Sequence, residues 1–225
     1  MKCRLDRDSF LPGRSTGLGI ALVALFSRAS RWYRGWVKLL SALNCVCFVT
    51  AVAAQAPTGL TPSEQKLHEA AFAGDLEQAQ RLVSEGAPVD STDSENHTPL
   101  MWAAFNGHTS VVRFLVDHGA KVDAKDENGR TALLFAASGP FEETVKLLLQ
   151  KGAAVDTQGT LEGFTALMTA AAEGQLEVVR LLLLHGAKPG LKDSDGDTAE
   201  SFALQKGHGD VVKLLKNPPA PSEKP

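Results

Sequence analysis

Cysteine is nearly missing from this chain. Cys3, Cys45 and Cys47 all lie in the first 47 positions, and residues 57–225 have none. That body can hold neither a disulfide framework nor a thiol nucleophile. Positive charge is also scarce there. Residues 57–225 carry fifteen Lys/Arg against twenty-four Asp/Glu, a net of −9. Such a surface repels phosphates, so no nucleic-acid partner is expected. Long apolar runs are absent too. The best candidate, Leu39 to Ala54, has sixteen residues and contains Asn44, against the roughly twenty that a helix needs to span a bilayer. No serine or cysteine is set in a recognisable motif with a histidine and an acid. No enzyme and no cofactor are therefore expected.

What is present begins with a basic leader. Residues 1–56 carry eight Lys/Arg and two Asp/Glu, a net of +6. A short apolar stretch, Leu18 to Phe26, is followed by Arg28, Arg31 and Arg34; the second, Leu39 to Ala54, follows Lys38 and ends in small residues. This is the order of a secretory signal, with the signal proper at about 37–54. Cleavage after Ala53 or Ala54 is expected, because signal peptidase accepts only small side chains near the scissile bond. The body would then be periplasmic or secreted. The alternative is a retained leader that anchors the chain in a membrane. The late position of the signal also leaves two starts open, Met1 or Val37. Ser15-Thr16-Gly17-Leu18-Gly19 has some look of a nucleotide loop but lacks a preceding strand and a third glycine, so it reads as chance.

Beyond a linker at 57–62 the chain keeps time. Gly86, Gly119, Gly152 and Gly186 recur at steps of 33, 33 and 34 residues, and Thr98, Thr131, Thr165 and Thr198 at 33, 34 and 33. A fixed period of this length means stacked repeats. Each threonine precedes a helical stretch and can cap it. Pro99 occupies a first helical position, where its missing donor costs nothing. Alanine pairs (Ala70-Ala71, Ala103-Ala104, Ala136-Ala137, Ala170-Ala171) keep one helix slim, and Val/Leu-rich stretches form a second. The periodic glycines end that second helix in the left-handed region. Gly129, Gly163 and Gly196 turn the chain into the next unit, with Asn96 in that place in unit two.

Five units result: about 63–92, 93–125, 126–159, 160–192 and 193–216, followed by a Pro-rich tail at 217–225 that is expected to be disordered. Unit two carries Thr98-Pro99-Leu100-Met101-Trp102-Ala103-Ala104, then Gly107-His108, then Val111 to Val116, then Gly119-Ala120-Lys121-Val122-Asp123. This closely resembles the ankyrin repeat, and units three and four repeat it. The resemblance implies an all-α fold, an ankyrin-repeat solenoid of helix-turn-helix units with short β-hairpin or turn fingers. It also implies a rigid module that binds a protein partner on its concave face and finger loops.

The ends of such an array must face water. Gln78, Gln80 and Arg81 in unit one and Glu200 in unit five, where other units have leucine, fit that need. Two departures stand out. Ser138-Gly139-Pro140-Phe141 replaces the usual Gly-His or Gly-Asp/Gln turn, and one extra residue lies within 157–162.

The repeat absorbs most residues that could suggest other chemistry. His108 and His208 share one repeat position, His118 and His185 another, and His68 takes a motif place; only His97 is at a variable one. One histidine per unit does not converge on a metal. Asp193-Ser194-Asp195-Gly196-Asp197 mimics a calcium loop, but its glycine comes early and Leu204 stands where a bidentate Glu is needed. Glu142-Glu143 reads as a solvated face. The repeat map leaves a candidate protein-binding surface: Phe72 in unit one; His97, Phe105 and Asn106 in unit two; Glu127, Asn128, Arg130 and Ser138 in unit three; Leu161, Glu162, Phe164 and Glu173 in unit four. Phe72, Phe105 and Phe164 are the expected anchors, being aromatics at solvent-facing positions. Trp102, one step deeper, is expected in the core. The partner is an unidentified protein, a membrane is reached only through an uncleaved leader, and a monomer is expected.

Overall fold

The computed structural model describes residues 59–220. The readings on the leader, the first part of the linker and tail residues 221–225 lie outside the described residues. Among those described, ten helices and no strand are present. They form five antiparallel pairs: α1 (Pro62–Ala73) with α2 (Leu76–Ser84), α3 (Pro99–Phe105) with α4 (Thr109–Asp117), α5 (Ala132–Ala136) with α6 (Glu142–Gln150), α7 (Ala166–Ala172) with α8 (Leu176–Leu184), and α9 (Ala199–Lys206) with α10 (Gly209–Lys216). Odd-numbered helices pack on one another as an inner layer and even-numbered ones as an outer layer. None is long and apolar enough to cross a membrane.

Helix starts follow the periodic threonines. The hydroxyls of Thr98, Thr165 and Thr198 accept from the N–H groups of Met101, Met168 and Ser201, which satisfies a donor that the first turn would leave free. Thr131 differs. Its hydroxyl makes no cap bond and is buried without a partner, at the head of the five-residue α5. The first helix also departs from the pattern. Thr61 and Glu64 form a capping box that starts α1 early and makes it twelve residues long.

The slim inner helices let leucines stack along the array. Leu67, Leu100, Leu133 and Leu167 are each at most 1 % exposed, and burying each contributes about 1.5–3 kcal/mol. Val111, Leu115, Val145, Leu148, Val178 and Leu182 form the matching wall from the outer layer. In unit five Glu200 takes the leucine column, stays partly exposed and pairs with Lys216 at 3.5 Å. The array therefore ends in a polar face.

Neighbouring units are stitched at equivalent points. Asp90, Asp123 and Asp156 accept from the N–H groups of Lys121, Ala154 and Lys188 at 2.9, 2.9 and 3.0 Å. The His108 ring lies over Gly74, where any side chain would collide with it, and its Nε2 donates to the Phe72 carbonyl at 3.0 Å. His208 repeats this over Gly174, donating to the Ala172 carbonyl. In unit three Phe141 fills the same place over Gly107. A phenyl ring fills the space but has no donor, so this junction keeps the packing and loses the bond. That is the structural consequence of the altered Ser138-Gly139-Pro140-Phe141 turn.

Candidate functional site

The fingers are turns built on aspartate. Asp93 Oδ1 accepts from the N–H groups of Glu95 and His97, Asp126 Oδ1 from Asn128 and Arg130, and Asp193 Oδ1 from Asp195 and Asp197. Each turn then closes with a backbone bond, such as Asp126 N–H to the Arg130 carbonyl at 3.0 Å. In the calcium-like stretch 193–197 the Asp193 carboxylate is spent on this turn. Unit four lacks the aspartate. There the Gln158 amide donates to the carbonyls of Gly163 and Lys192 instead, and the extra residue swells the tip at Thr160–Glu162. Tips of successive fingers are joined by Glu127 N–H to the Glu95 carbonyl, Thr160 N–H to Asn128, and Ser194 N–H to Glu162.

Three columns of residues stand at equivalent repeat positions on the fingers and inner helices. Column one reads Glu69, Trp102, Phe135, Thr169, Phe202. Column two reads Phe72, Phe105, Ser138, Ala172, Gln205. The finger column reads His97, Arg130, Phe164, Asp197. In units one to three these columns bring four aromatic rings and His97 together. Phe72 meets Trp102 at 5.8 Å between ring centroids, Trp102 meets Phe105 at 6.5 Å, and Phe105 meets Phe135 at 6.2 Å, all edge-to-face. Edge-to-face is the arrangement that ring quadrupoles favour. His97 sits beneath, 4.7 Å from Trp102 and 5.8 Å from Phe135. Phe72 and Phe105 nevertheless keep 42 % and 41 % of their surface open.

A polar network holds this patch from below. His97 Nδ1 donates to Asp93 Oδ2 at 3.1 Å, and its Nε2 accepts from the Arg130 guanidinium at 3.4 Å. The Asp126 side chain is fully buried, and Arg130 Nε donates to it at 2.7 Å. The same guanidinium lies over the Phe135 ring, 4.7 Å from its centroid. Burial pushes the Asp93 carboxyl up, but the bonds from the His97 ring, the His97 N–H and the Glu95 N–H together hold it below the ordinary carboxylate range. At the array's start, burial pushes the His68 imidazole down. Its Nε2 meets the Ser91 carbonyl and hydroxyl, while Nδ1 is buried without a partner.

The expected site residues divide into groups. Phe72, Phe105, Glu127, Leu161 and Glu162 are exposed, Leu161 most of all. Asn106 is spent on the scaffold, donating to the Phe72 carbonyl at 2.7 Å. Ser138 donates to the Phe135 carbonyl, Asn128 links finger tips through its backbone, and Glu173 is the half-buried cap of α7. His97, expected on the surface, is only 5 % exposed, because Trp102 and Phe135 close over it. Phe164, expected as an open anchor, is half-buried against Phe202 at 5.2 Å. Trp102, expected in the core, is half-buried within the patch. Phe135 and the carboxylates of Asp93 and Asp126 were missed. The signal for Phe135 was its place one repeat after Trp102.

No curated protein matches the chain significantly. The family profile for ankyrin repeats in three copies matches residues 67–159 and again 140–221. Ankyrin repeats generally serve as protein-interaction modules, and the family is typically a non-enzymatic scaffold. The matched residues span most of the chain and cover nearly all of the stacked helix pairs, so the chain belongs to the ankyrin-repeat family.

Proposed function

We infer that this protein is an exported binding scaffold that grips a protein partner through the inner face of units one to three. One observation carries the reading: Phe72 and Phe105 stay about two-fifths exposed although each touches a ring of the next unit. Rings held rigid by neighbours yet open to solvent lose little freedom on binding, which suits them to be anchors. The finger tips supply the rim, and an interface of about 1,200–2,000 Å² would cover both. Export rests on the basic leader and its small-residue end; the chain acts as a monomer in this reading.

A photo-reactive residue at position 105, compared with one at Lys146 on the outer layer, tests the face in cells. The partner should be captured at 105 and not at 146. With that partner, Phe72→Ala together with Phe105→Ala should weaken affinity by about thirtyfold or more, the loss of a hot spot. Capture at 146 alone, or unchanged affinity, sinks the site. The mass of the mature N-terminus tests export: a retained leader would replace the exported scaffold with a membrane-tethered one.

A further inference from the structure

The charge of the array is divided between its two layers. The inner helices with their caps and the four finger turns (92–97, 125–130, 158–164, 192–197) hold twelve acidic and five basic side chains, a net of −7. The rest of residues 59–220 holds eleven acidic and nine basic ones, a net of −2. Ion pairs lie mostly on the outer side. The outer helices and the loops after them hold the pairs Arg81–Glu85, Lys151–Asp117, Arg180–Glu177, Lys188–Asp156 and Lys213–Asp210. On the inner side Glu69, Glu127 and Glu162 form no ion pair among the described residues, and Glu95 has only the His97 ring at 4.0 Å. Acidic charge gathered on one face attracts a cation before contact.

Unit three shows what the face does with a cation. Arg130 lies between a ring and a carboxylate, its guanidinium over Phe135 and its Nε on Asp126. Unit two repeats the rings, as Trp102 and Phe105, and the acids, as Asp93 and Glu95. Its finger column, however, carries His97 where unit three has Arg130. The Arg130 guanidinium reaches unit two only at His97 Nε2, 3.4 Å away, and among the described residues no guanidinium lies over Phe72, Trp102 or Phe105.

We propose that the partner supplies the missing cation: the inner face takes an extended, basic protein segment, with an arginine or lysine laid over the Phe72–Trp102–Phe105 cluster and its neighbours facing the acidic finger tips. This rests on the reading of the inner face as the binding surface and adds the chemistry of what it binds. Aromatic faces attract guanidinium and ammonium groups through the ring quadrupole, and the aliphatic stems of Arg and Lys cover the exposed ring surface. Glu95 and Glu127 stand at the finger tips nearest the cluster in sequence register.

Trp102 is a built-in reporter. The other two tryptophans are Trp32 and Trp36, and replacing both with Phe in the full chain leaves Trp102 as the only one. The probes are three peptides of equal length, alternating Leu with Arg, with Gln or with Glu. The Arg peptide should change Trp102 emission saturably. Its affinity should fall about tenfold between about 0.05 and about 0.3 M salt, as screening shortens the reach of the face. Glu95→Gln with Glu127→Gln should weaken it about tenfold, and Phe72→Ala with Phe105→Ala by at least as much. Glu142→Gln with Glu143→Gln, on the outer layer, should leave it unchanged. The proposal is overturned if the Gln peptide binds as well as the Arg peptide, or if the outer pair matters as much as the inner pair. It is also overturned if Trp102 emission changes when residues 1–56 are removed by protease and only then answers to the Arg peptide, because the basic leader would then be the occupant. If no Arg peptide binds while position 105 still captures a partner, the charge argument fails and the binding face stands. If position 105 captures nothing as well, both fail.

Discussion

In units one to three, four aromatic rings form a continuous edge-to-face chain across two junctions, and two of them stay open to solvent. In units four and five a single pair, Phe164 with Phe202, closes on itself across one junction. The backbone plan is the same in both regions. The columns explain the difference: column two reads Phe, Phe, Ser in the first three units and Ala, Gln in the last two. With alanine or glutamine there, no ring stands outside the Phe164–Phe202 contact. A repeat scaffold can thus carry a binding face on one region and a supporting one on the other without changing its fold.

The junction between the regions is where that contrast can be broken most severely. Leu133 in α5 is 1 % exposed in the shared leucine column. Leu133→Ala should cost about 2–5 kcal/mol, the usual range for a buried leucine left with a cavity. Urea unfolding followed by amide exchange would read it. If the two regions form one cooperative array, protection should fall in both. Continued protection of α7 to α10 alone would show them to be separable, as nearest-neighbour coupling in solenoids permits.

Next in size is a reversal of roles between two phenylalanines. Phe164→Ala removes a half-buried ring and its edge-to-face contact, with an expected stability loss of about 1–2 kcal/mol and little change in partner affinity. Phe105→Ala should do the opposite. A Phe164→Ala variant that folds as well as the parent but binds poorly would extend the binding face into unit four.

The smallest effect concerns the start of the array. The His68 imidazole is pushed below the ordinary value of 6.5 by burial. The unfolded chain then binds a proton that the folded chain refuses. Stability from this group is complete above about pH 6.5 and declines as pH falls below it, by at most about 1.4 kcal/mol per pH unit. His68→Gln should flatten the slope of urea midpoint against pH in that range. An equal slope in the variant would place the titrating group elsewhere. The Asp93 carboxyl, held below its ordinary range, loses its contribution only in more acidic solution, so the two windows separate.

Much of the architecture was legible beforehand because each cue is local. A threonine ahead of a slim alanine helix, a glycine after a leucine-rich one and a glycine or asparagine in the turn before the next unit need only their neighbours in sequence. Asn96, with φ of 60°, behaves as the glycine substitute it was expected to be, and it is the only non-glycine in that region among the described residues. The site was harder. His97 and Phe164 share a column and were both expected at the surface, yet one is buried and the other half-buried. Each fate depends on the ring offered by the following unit, Phe135 in one case and Phe202 in the other. Thr131 shows the same limit from the other side: its place in the period was right, but at the head of so short a helix its hydroxyl finds no partner.

The sequence by itself determined the period, the order of inner and outer helices, the polar ends and the acidic balance of the body, since these follow from residue type and spacing along the chain. Only the tertiary structure decided which rings remain open and which are closed over by the following unit. Those properties arise between residues about one repeat apart, where the burial of a side chain depends on the shape and chemistry of the one stacked against it.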